Sequence, residues 1–246
     1  MRCWRSCVAR VARRIREPPA ARWRCGTGGV AAAVALVGLL VGSEGAVGQV
    51  KRRAVALPKP ALEGDMSLET AIAQRESQRE FEPGPLTPAA LGQLLWAAQG
   101  TTTGGRRTVP SAGALYPIEV YAVVGLVEGI APGVYHYRPT RHDLVLVEAG
   151  DRRDELATAA FQDWVADAPV TLVIAAVLDR TAVKYGSRAQ RYVHMEVGCV
   201  AANVYLQATA LHLGTTLVGA FTDRSVKRVL SLPAEHAPLG LMPVGR

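Results

Sequence analysis

Side chains that could bind an anion lie in the segment RESQREF. Arg75, Ser77 and Arg79 occupy alternate positions directly after a helix pattern. In an extended chain, alternate side chains point to one side, so two guanidinium groups and a hydroxyl could converge on a phosphate. A solvated charged turn would have the same pattern, and the segment alone leaves both interpretations open.

Two other segments carry so few side chains that they indicate close approach of the backbone to a ligand. In RTVPSAGALYP, the residues Pro110, Ser111 and Gly113 stand in a loop before a strand pattern. In LVGAF, a strand pattern ends with Gly219 and Ala220. Glycine permits close approach, and N–H groups in a curved loop can hold an anion or a polar ring. The alternative is an ordinary turn, because Gly and Pro mark connections of every kind.

Groups that can exchange protons occur in KYGSRAQRY, between a buried strand pattern and a long apolar helix pattern. Lys184 and Tyr185 can transfer protons, whereas the neighbouring Arg188 and Arg191 stay charged. Proton transfer by a positioned side chain is a common source of enzymatic rate enhancement. Lys184 and Tyr185 are therefore the catalytic candidates, with a charged, solvated helix start as the alternative.

Common signatures of metal and nucleotide chemistry are missing from the sequence. The five histidines are scattered, and His194 and Glu196 form an H-x-E without the P-C-x-x-C of a zinc deaminase. There is no G-x-S-x-G elbow, no P-loop and no G-x-G-x-x-G after a strand. We expect no metal site, and no hydrolase, kinase or Rossmann chemistry.

The net charge of +7 arises at the N-terminal end of the chain. Residues 1–25 hold eight arginines and one acid, which leaves 20 basic and 20 acidic residues in the remainder. Because nucleic-acid binding needs a basic face on the folded domain, no nucleic-acid partner is expected. An apolar run at 29–42 and small residues at 46–48 complete the parts of a secretory signal. We predict a leader or membrane anchor over residues 1–48, with a periplasmic or membrane-anchored protein if this segment is genuine and a cytoplasmic one otherwise.

The elements that must position the candidate residues follow this leader. Residues 49–65 are interpreted as a Pro-containing linker, and the domain is predicted to span residues 66–246. Ser67 and Thr87 are predicted N-caps of two helices. Strands and helices then mix without strict alternation, which is typical of the α+β class. The later patterns, in order, are strands IEVYAVVG, GVYHYRP and HDLVLVEAG, helix DRRDELATAAFQDWVADAP, strand VTLVIAAVLD, a long helix over about 187–213 closed by Gly214, strand TTLVGAF, helix TDRSVKRVLS and strand PLGLMPVG.

The order of these segments resembles the nitroreductase-like FMN flavoproteins, and most closely their SagB/ThcOx-type dehydrogenase branch. The resemblance covers residues 66–245 through RESQREF, LLWAAQG, RTVPSAGALYP, GVYHYRP, KYG, GAF and PVG. It implies a mixed, mainly antiparallel sheet surrounded by helices, in an intertwined homodimer with FMN at the interface. Glu76 stands where the family usually has a second arginine, which would weaken phosphate binding.

The resemblance also implies a role for each candidate residue. Backbone N–H groups near flavin N5, where hydride arrives and leaves, would come from Gly219 and Ala220. Proton transfer would fall to Lys184 and Tyr185, which match the Lys-Tyr pair that serves azoline oxidation in this branch. The phosphate and the polar ring edge of the flavin would be held by Arg75, Ser77 and Arg79. The flavin would be lined from the partner subunit by Pro110, Ser111 and Gly113.

The expected function is therefore an FMN-dependent oxidoreductase of the SagB/ThcOx type. Its substrate would be a small molecule or a modified peptide. Two alternatives stay open at this point. The first is NAD(P)H-dependent reduction of a nitro or quinone compound, and the second is a flavin-binding module without turnover.

Overall fold

The computed structural model describes residues 54–246. The predicted leader, 1–48, and the start of the predicted linker lie outside the described residues. Within 54–246, no helix has both the length and the apolarity needed to cross a membrane. The elements in chain order are β1 (Ala54–Ala56), α1 (Leu68–Gln74), α2 (Pro88–Gln99), β2 (Ile118–Val124), β3 (Gly133–Arg138), β4 (Asp143–Ala149), α3 (Arg153–Ala160), β5 (Val170–Ala176), α4 (Leu178–Tyr185), α5 (Ala189–Ala210), β6 (Gly214–Thr215), α6 (Asp223–Val229) and β7 (Ala237–Gly245).

The strands form one sheet with the order β1-β4-β3-β2-β5-β7-β6. Each pair of neighbouring strands is antiparallel. At the centre, β5 lies between β2 and β7, with Val173 opposite Tyr121 and Leu172 opposite Met242. The predicted α+β class and mainly antiparallel sheet are confirmed.

Alternate residues of β5 face two separate apolar cores. Leu172 and Ile174 pack in the core that contains α2 and α5, whereas Val173 and Ala175 pack in the core that contains α3 and α6. Side chains alternate across a strand, so the continuous apolar run of β5 needs cover on both faces. The sheet is thus a middle layer, and the long helix α5 crosses one of its faces.

Local capping determines where the first two helices begin. The Ser67 side chain accepts the N–H of Thr70, and the Thr87 side chain accepts that of Ala90. Pro88 occupies the first position of α2, where its missing N–H is not needed. Both N-caps match the sequence prediction.

Two predicted helices end differently in the structure. The helix predicted from DRRDELATAAFQDWVADAP stops at Ala160, because Phe161 adopts a left-handed φ of 55°. After α5 the left-handed residue is His212, with a φ of 54°. Gly214, predicted to close α5, is the first residue of β6 instead.

Two strands also differ from what the sequence patterns indicate. The predicted linker contains the edge strand β1, whose Ala54 lies opposite Val145 of β4. The strand predicted from TTLVGAF is limited to β6, followed by an isolated bridge between Val218 and Leu241. Residues 219–220 therefore follow the strand as part of a loop.

Candidate functional site

Ser77 and Arg79 line an open cleft with a volume of ≈ 900 Å³. A second arginine, Arg246, lines the same cleft. The carbonyl of Arg246 accepts the N–H of Glu82 at 2.7 Å, which holds the last residue against this segment. Glu80 and Glu82 also line the cleft, so that the formal charges of its two arginines and two glutamates cancel. Two arginines and a serine thus line one space large enough for a phosphate group.

Arg75, the remaining predicted member, contacts Tyr205 instead of lining the cleft. Its guanidinium carbon lies 5.3 Å from the centre of the Tyr205 ring, a cation–π distance. The Tyr205 hydroxyl hydrogen-bonds with Ser77 Oγ at 3.2 Å, donates to Thr216 Oγ1 at 3.3 Å and accepts the Leu217 N–H at 2.8 Å. Burial alone would raise the pKa of Tyr205, but these hydrogen bonds and the Arg75 charge hold the pKa below its usual range. Tyr205, which the sequence did not single out, ties Ser77 to the chain after β6.

The segment of Ser77 is held in place by β6. Ser77 forms an isolated bridge with Thr215, and the Gln78 N–H donates to the Thr215 carbonyl at 3.1 Å. A Cβ on Gly214 would collide with Gln78 Oε1. Glycine at this position therefore permits the close approach of the two segments.

Gly219 and Ala220 present their backbone to open space. The N–H and the carbonyl of Val218 both pair with Leu241, at 2.8 and 3.0 Å, and the chain leaves the sheet after them. A Cβ on Gly219 would meet no atom within 4 Å. In residues 54–246, the backbone N–H groups of Gly219 and Ala220 have no backbone acceptor. These two N–H groups can therefore donate to a ligand.

The proline loop, Pro110–Tyr116, is attached to a buried carboxylate on α5. The Ala112 N–H donates to Glu196 Oε1 at 2.9 Å, and Ser111 Oγ accepts the N–H of the last loop residue at 2.9 Å. Gly113 has a φ of +63°, which favours glycine. Burial raises the pKa of Glu196, although the contacts from Ala112 and Ser111 act in the opposite direction. Glu196 was not a predicted site residue, and apart from the H-x-E with His194 its sequence signal is an acid within an apolar helix pattern.

Lys184 and Tyr185, at the end of α4, lie against Gly113. A Cβ placed on Gly113 would be 3.0 Å from the Tyr185 hydroxyl oxygen and 3.1 Å from Lys184 Nζ. The Tyr185 ring packs edge-on against Tyr192, with centroids 4.8 Å apart. The structure thus brings both catalytic candidates to the loop that was predicted to line a cofactor.

A second contact holds α4 on the proline loop. Arg180, one turn before Lys184, donates to the Tyr116 carbonyl at 3.0 Å and pairs with Glu119 at 2.6 Å. His136 contacts the same carboxylate at 2.7 Å. Burial alone would raise the pKa of Glu119, but the hydrogen bonds from His136 and Arg180 hold the pKa below its usual range. Helix α4 therefore contacts the proline loop at two points, Gly113 and Tyr116.

The residues present fit the FMN that the sequence resemblance implies. The guanidinium and hydroxyl donors of the cleft suit a phosphate, and the unpaired N–H groups at 219–220 suit a polar ring edge. Tyr205 and Glu196, which hold the two halves of the site, are nine residues apart on α5, or about 14 Å along a helix axis. Among residues 54–246, His, Cys, Asp and Glu form no group of three that could hold a metal ion.

Known proteins share both the sequence and the fold. The Nitroreductase family model matches residues 72–246. A Methanocaldococcus jannaschii protein described as a nitroreductase is 49% identical over 184 residues, which cover 74% of this chain and 92% of that protein. A crystal structure of a nitroreductase from Ralstonia eutropha JMP134 has a TM-score of 0.71 and 32% identity, and the match covers 81% of this chain and 91% of that one.

A chain of a microcin synthetase complex is also similar. The E. coli microcin synthetase McbBCD complex, solved with truncated pro-MccB17 bound, matches with a TM-score of 0.61 and 25% identity. The match covers 78% of this chain and 77% of the matched chain. These findings confirm the resemblance inferred from the motifs and support the SagB-type branch. The chain belongs to the nitroreductase family, whose members are typically flavin-dependent oxidoreductases.

Proposed function

We propose that this protein is an FMN-dependent oxidoreductase of the SagB/ThcOx type, with Lys184 and Tyr185 as its proton-transfer groups. One observation carries the proposal. A Cβ on Gly113 would lie 3.1 Å from the amine of Lys184 and 3.0 Å from the hydroxyl oxygen of Tyr185. Two groups that can exchange protons thus meet the proline loop at a residue without a side chain.

Different candidate residues would bind different parts of FMN. Arg79, Arg246 and Ser77 would hold the phosphate, and Arg75 would support them through Tyr205. The ring would lie along Pro110, Ser111 and Gly113, with the N–H groups of Gly219 and Ala220 near N5. FMN, when bound, supplies two-electron chemistry by accepting or giving a hydride at N5.

A homodimer would complete this site. The cleft and the proline loop are held by residues about 14 Å apart along α5 in one chain, and a two-fold axis would set the loop of one subunit beside the cleft of its partner. Exposed apolar side chains support an association surface, since Leu62, Leu68 and Ile72 are 70%, 60% and 58% exposed. Large exposed apolar groups are a common feature of subunit contacts.

Lys184 and Tyr185 would move the proton that accompanies the hydride. Oxidation of a ring C–N or C–C bond removes a hydride and a proton from the substrate. Lys184 Nζ or the Tyr185 oxygen would take that proton, which the nearby arginines cannot do near neutral pH. The substrate class that we propose is a modified peptide, supported by the likeness to the microcin synthetase complex with its bound pro-peptide.

A second candidate function is the reduction of nitro or quinone compounds by NAD(P)H. The 49% identity to a protein described as a nitroreductase favours it. The location is a further proposal, because the predicted leader, 1–48, lies outside the described residues. An exported protein would favour the oxidase function, since NAD(P)H is a cytoplasmic reductant.

The test compares Lys184→Met and Tyr185→Phe with the parent protein. The substrates are a peptide that carries one thiazoline ring, and NADPH with a nitroaromatic compound. We expect both variants to keep FMN and its reduction by dithionite, but to lose peptide oxidation by about 10²–10⁴-fold. Tyr192→Phe is the matched control, because its ring packs on Tyr185 while its hydroxyl is not among the three atoms nearest to a Cβ on Gly113. Parental oxidation by both variants would contradict the proposal, and turnover of NADPH alone would favour the second function.

A further inference from the structure

Glu196 is a buried carboxylate whose hydrogen bonds are incomplete. The residue is 4% exposed, and its Oε1 accepts the Ala112 N–H at 2.9 Å. Its Oε2 is buried and makes no hydrogen bond within residues 54–246. A buried carboxylate oxygen without a partner is destabilising, so its presence needs an explanation other than stability.

The contacts of Glu196 reach the proton-transfer groups in one step. Ala112 directly precedes Gly113, the residue on which Lys184 Nζ and the Tyr185 hydroxyl converge. The neighbouring Ser111 Oγ accepts the Tyr116 N–H at 2.9 Å, which closes the other end of the loop. The carboxylate therefore anchors the proline loop at Ala112, directly before Gly113.

The helix that carries Glu196 also supports Tyr185. Tyr192, which packs on the Tyr185 ring, precedes Glu196 by four residues on α5, so both side chains lie on one face of that helix. The flanking Val193, Val197 and Val200 are buried in the core, which holds α5 rigidly. A rigid helix face thus contacts Tyr185 and the loop that meets it.

We infer that Glu196 is a positioning residue, which holds the proline loop so that Gly113 meets Lys184 and Tyr185. Glu196 acts through the Ala112 N–H and takes no part in the chemistry itself. The inference rests on the proposed function, in which Lys184 and Tyr185 transfer protons. A carboxylate that served only the packing of α5 would affect the folding of the protein but not its kcat.

The experiment compares Glu196→Ala, Glu196→Gln and the control Glu128→Ala in the purified, FMN-loaded protein. Glu128 is an exposed glutamate without an ion pair in the described residues. One readout is tryptic cleavage after Arg106, an exposed residue just before the loop. The other is oxidation of the thiazoline peptide, with kcat and KM measured separately and folding checked by circular dichroism.

Glu196→Ala should increase the rate of cleavage about 10–100-fold, because a hydrogen bond to a charged group no longer opposes local opening. Its kcat should fall by up to about 10²-fold with KM little changed, as expected when reacting groups are misplaced. Glu196→Gln keeps an acceptor for the Ala112 N–H and should resemble the parent in both readouts. Glu128→Ala should resemble the parent as well.

Three results would overturn the inference. If Glu196→Ala keeps the parental cleavage rate and kcat while Lys184→Met is slow, Glu196 has no positioning role and the proposed function stands. If the Gln variant is as impaired as the Ala variant, acceptance of the Ala112 N–H is not its role. If Lys184→Met keeps the parental kcat, the proposed proton transfer fails, and the role of Glu196 in it fails too. Should Glu196→Ala not fold, Glu196→Asp, whose shorter side chain draws the carboxylate away from the Ala112 N–H, is judged by the same two readouts.

Discussion

Gly113→Ala would add a methyl group at the point where the proline loop meets α4. The new carbon would lie 3.0 Å from the Tyr185 hydroxyl oxygen and 3.1 Å from Lys184 Nζ, whereas unstrained contacts lie at about 3.5–4.0 Å. Both neighbours are the ends of flexible side chains, so they would shift while the backbone stays. We expect peptide oxidation to fall by roughly 10–100-fold, because small misplacements of reacting groups have effects of this size.

The same substitution also strains the backbone. Gly113 has a φ of +63°, and a left-handed residue other than glycine costs about 1–2 kcal/mol. Tm should therefore fall by about 2–8 °C for a domain of this size. Gly129→Ala is the matched control, because Gly129 has a φ of +69° with no atom within 4 Å of an added Cβ.

The assay measures Tm, the FMN content and the kcat of both glycine variants with the thiazoline peptide. Both should lose a similar amount of thermal stability. Only Gly113→Ala should lose kcat, while dithionite still reduces its flavin at the parental rate. A Gly113→Ala protein with the parental kcat would refute the placement of Lys184 and Tyr185 at the reacting atoms.

The other predictions concern the cleft, Tyr205 and the ion pair. Arg79→Ala removes a charge-assisted contact that contributes about 1.5–3 kcal/mol. FMN affinity should therefore fall by roughly one to two decades in a fluorescence titration, whereas the control Glu82→Gln should not weaken it. Unchanged affinity in Arg79→Ala would exclude the cleft as the phosphate site. Tyr205→Phe loses hydrogen bonds to Ser77, Thr216 and Leu217. The free energy of unfolding, measured in urea, should therefore fall by about 1–3 kcal/mol. An unchanged urea midpoint would show that Tyr205 does not hold Ser77 to the chain after β6. Because the folded pKa of Glu119 is lowered, the stability that this carboxylate contributes is present above its unfolded pKa of about 4.3 and is lost as the pH falls through the folded pKa. The difference in unfolding free energy between the parent and Glu119→Gln should therefore shrink in acid below about pH 4, and a difference independent of pH would contradict this.

Elements with strong local signals could be predicted from the sequence. Thr87 and Pro88 mark the start of α2, and the continuous apolar run of β5 indicates a strand covered on both faces. The three residues of β1 are too short for a periodic pattern, and their strand exists through pairing with the distant β4. TTLVGAF has the composition of a strand, but after β6 only Val218 finds a partner.

The candidate site could be predicted only where residue type carries the signal. Alternate spacing predicted one face for Arg75, Ser77 and Arg79, yet Arg75 contacts the Tyr205 ring. Arg246 enters the cleft because β7 brings the end of the chain beside residues 77–83. Glu196 acts through a contact 84 residues away along the chain. Tertiary contacts of this kind leave no local pattern in the sequence.

The most direct test of the central claim is the flavin content of the purified full-length protein. The absorption spectrum is recorded before and after denaturation, and the released cofactor is identified by its mass. We predict a yellow protein with one non-covalent FMN per subunit, and recovery of the spectrum when FMN is added back to the stripped protein. A colourless protein that does not take up added FMN would contradict the claim.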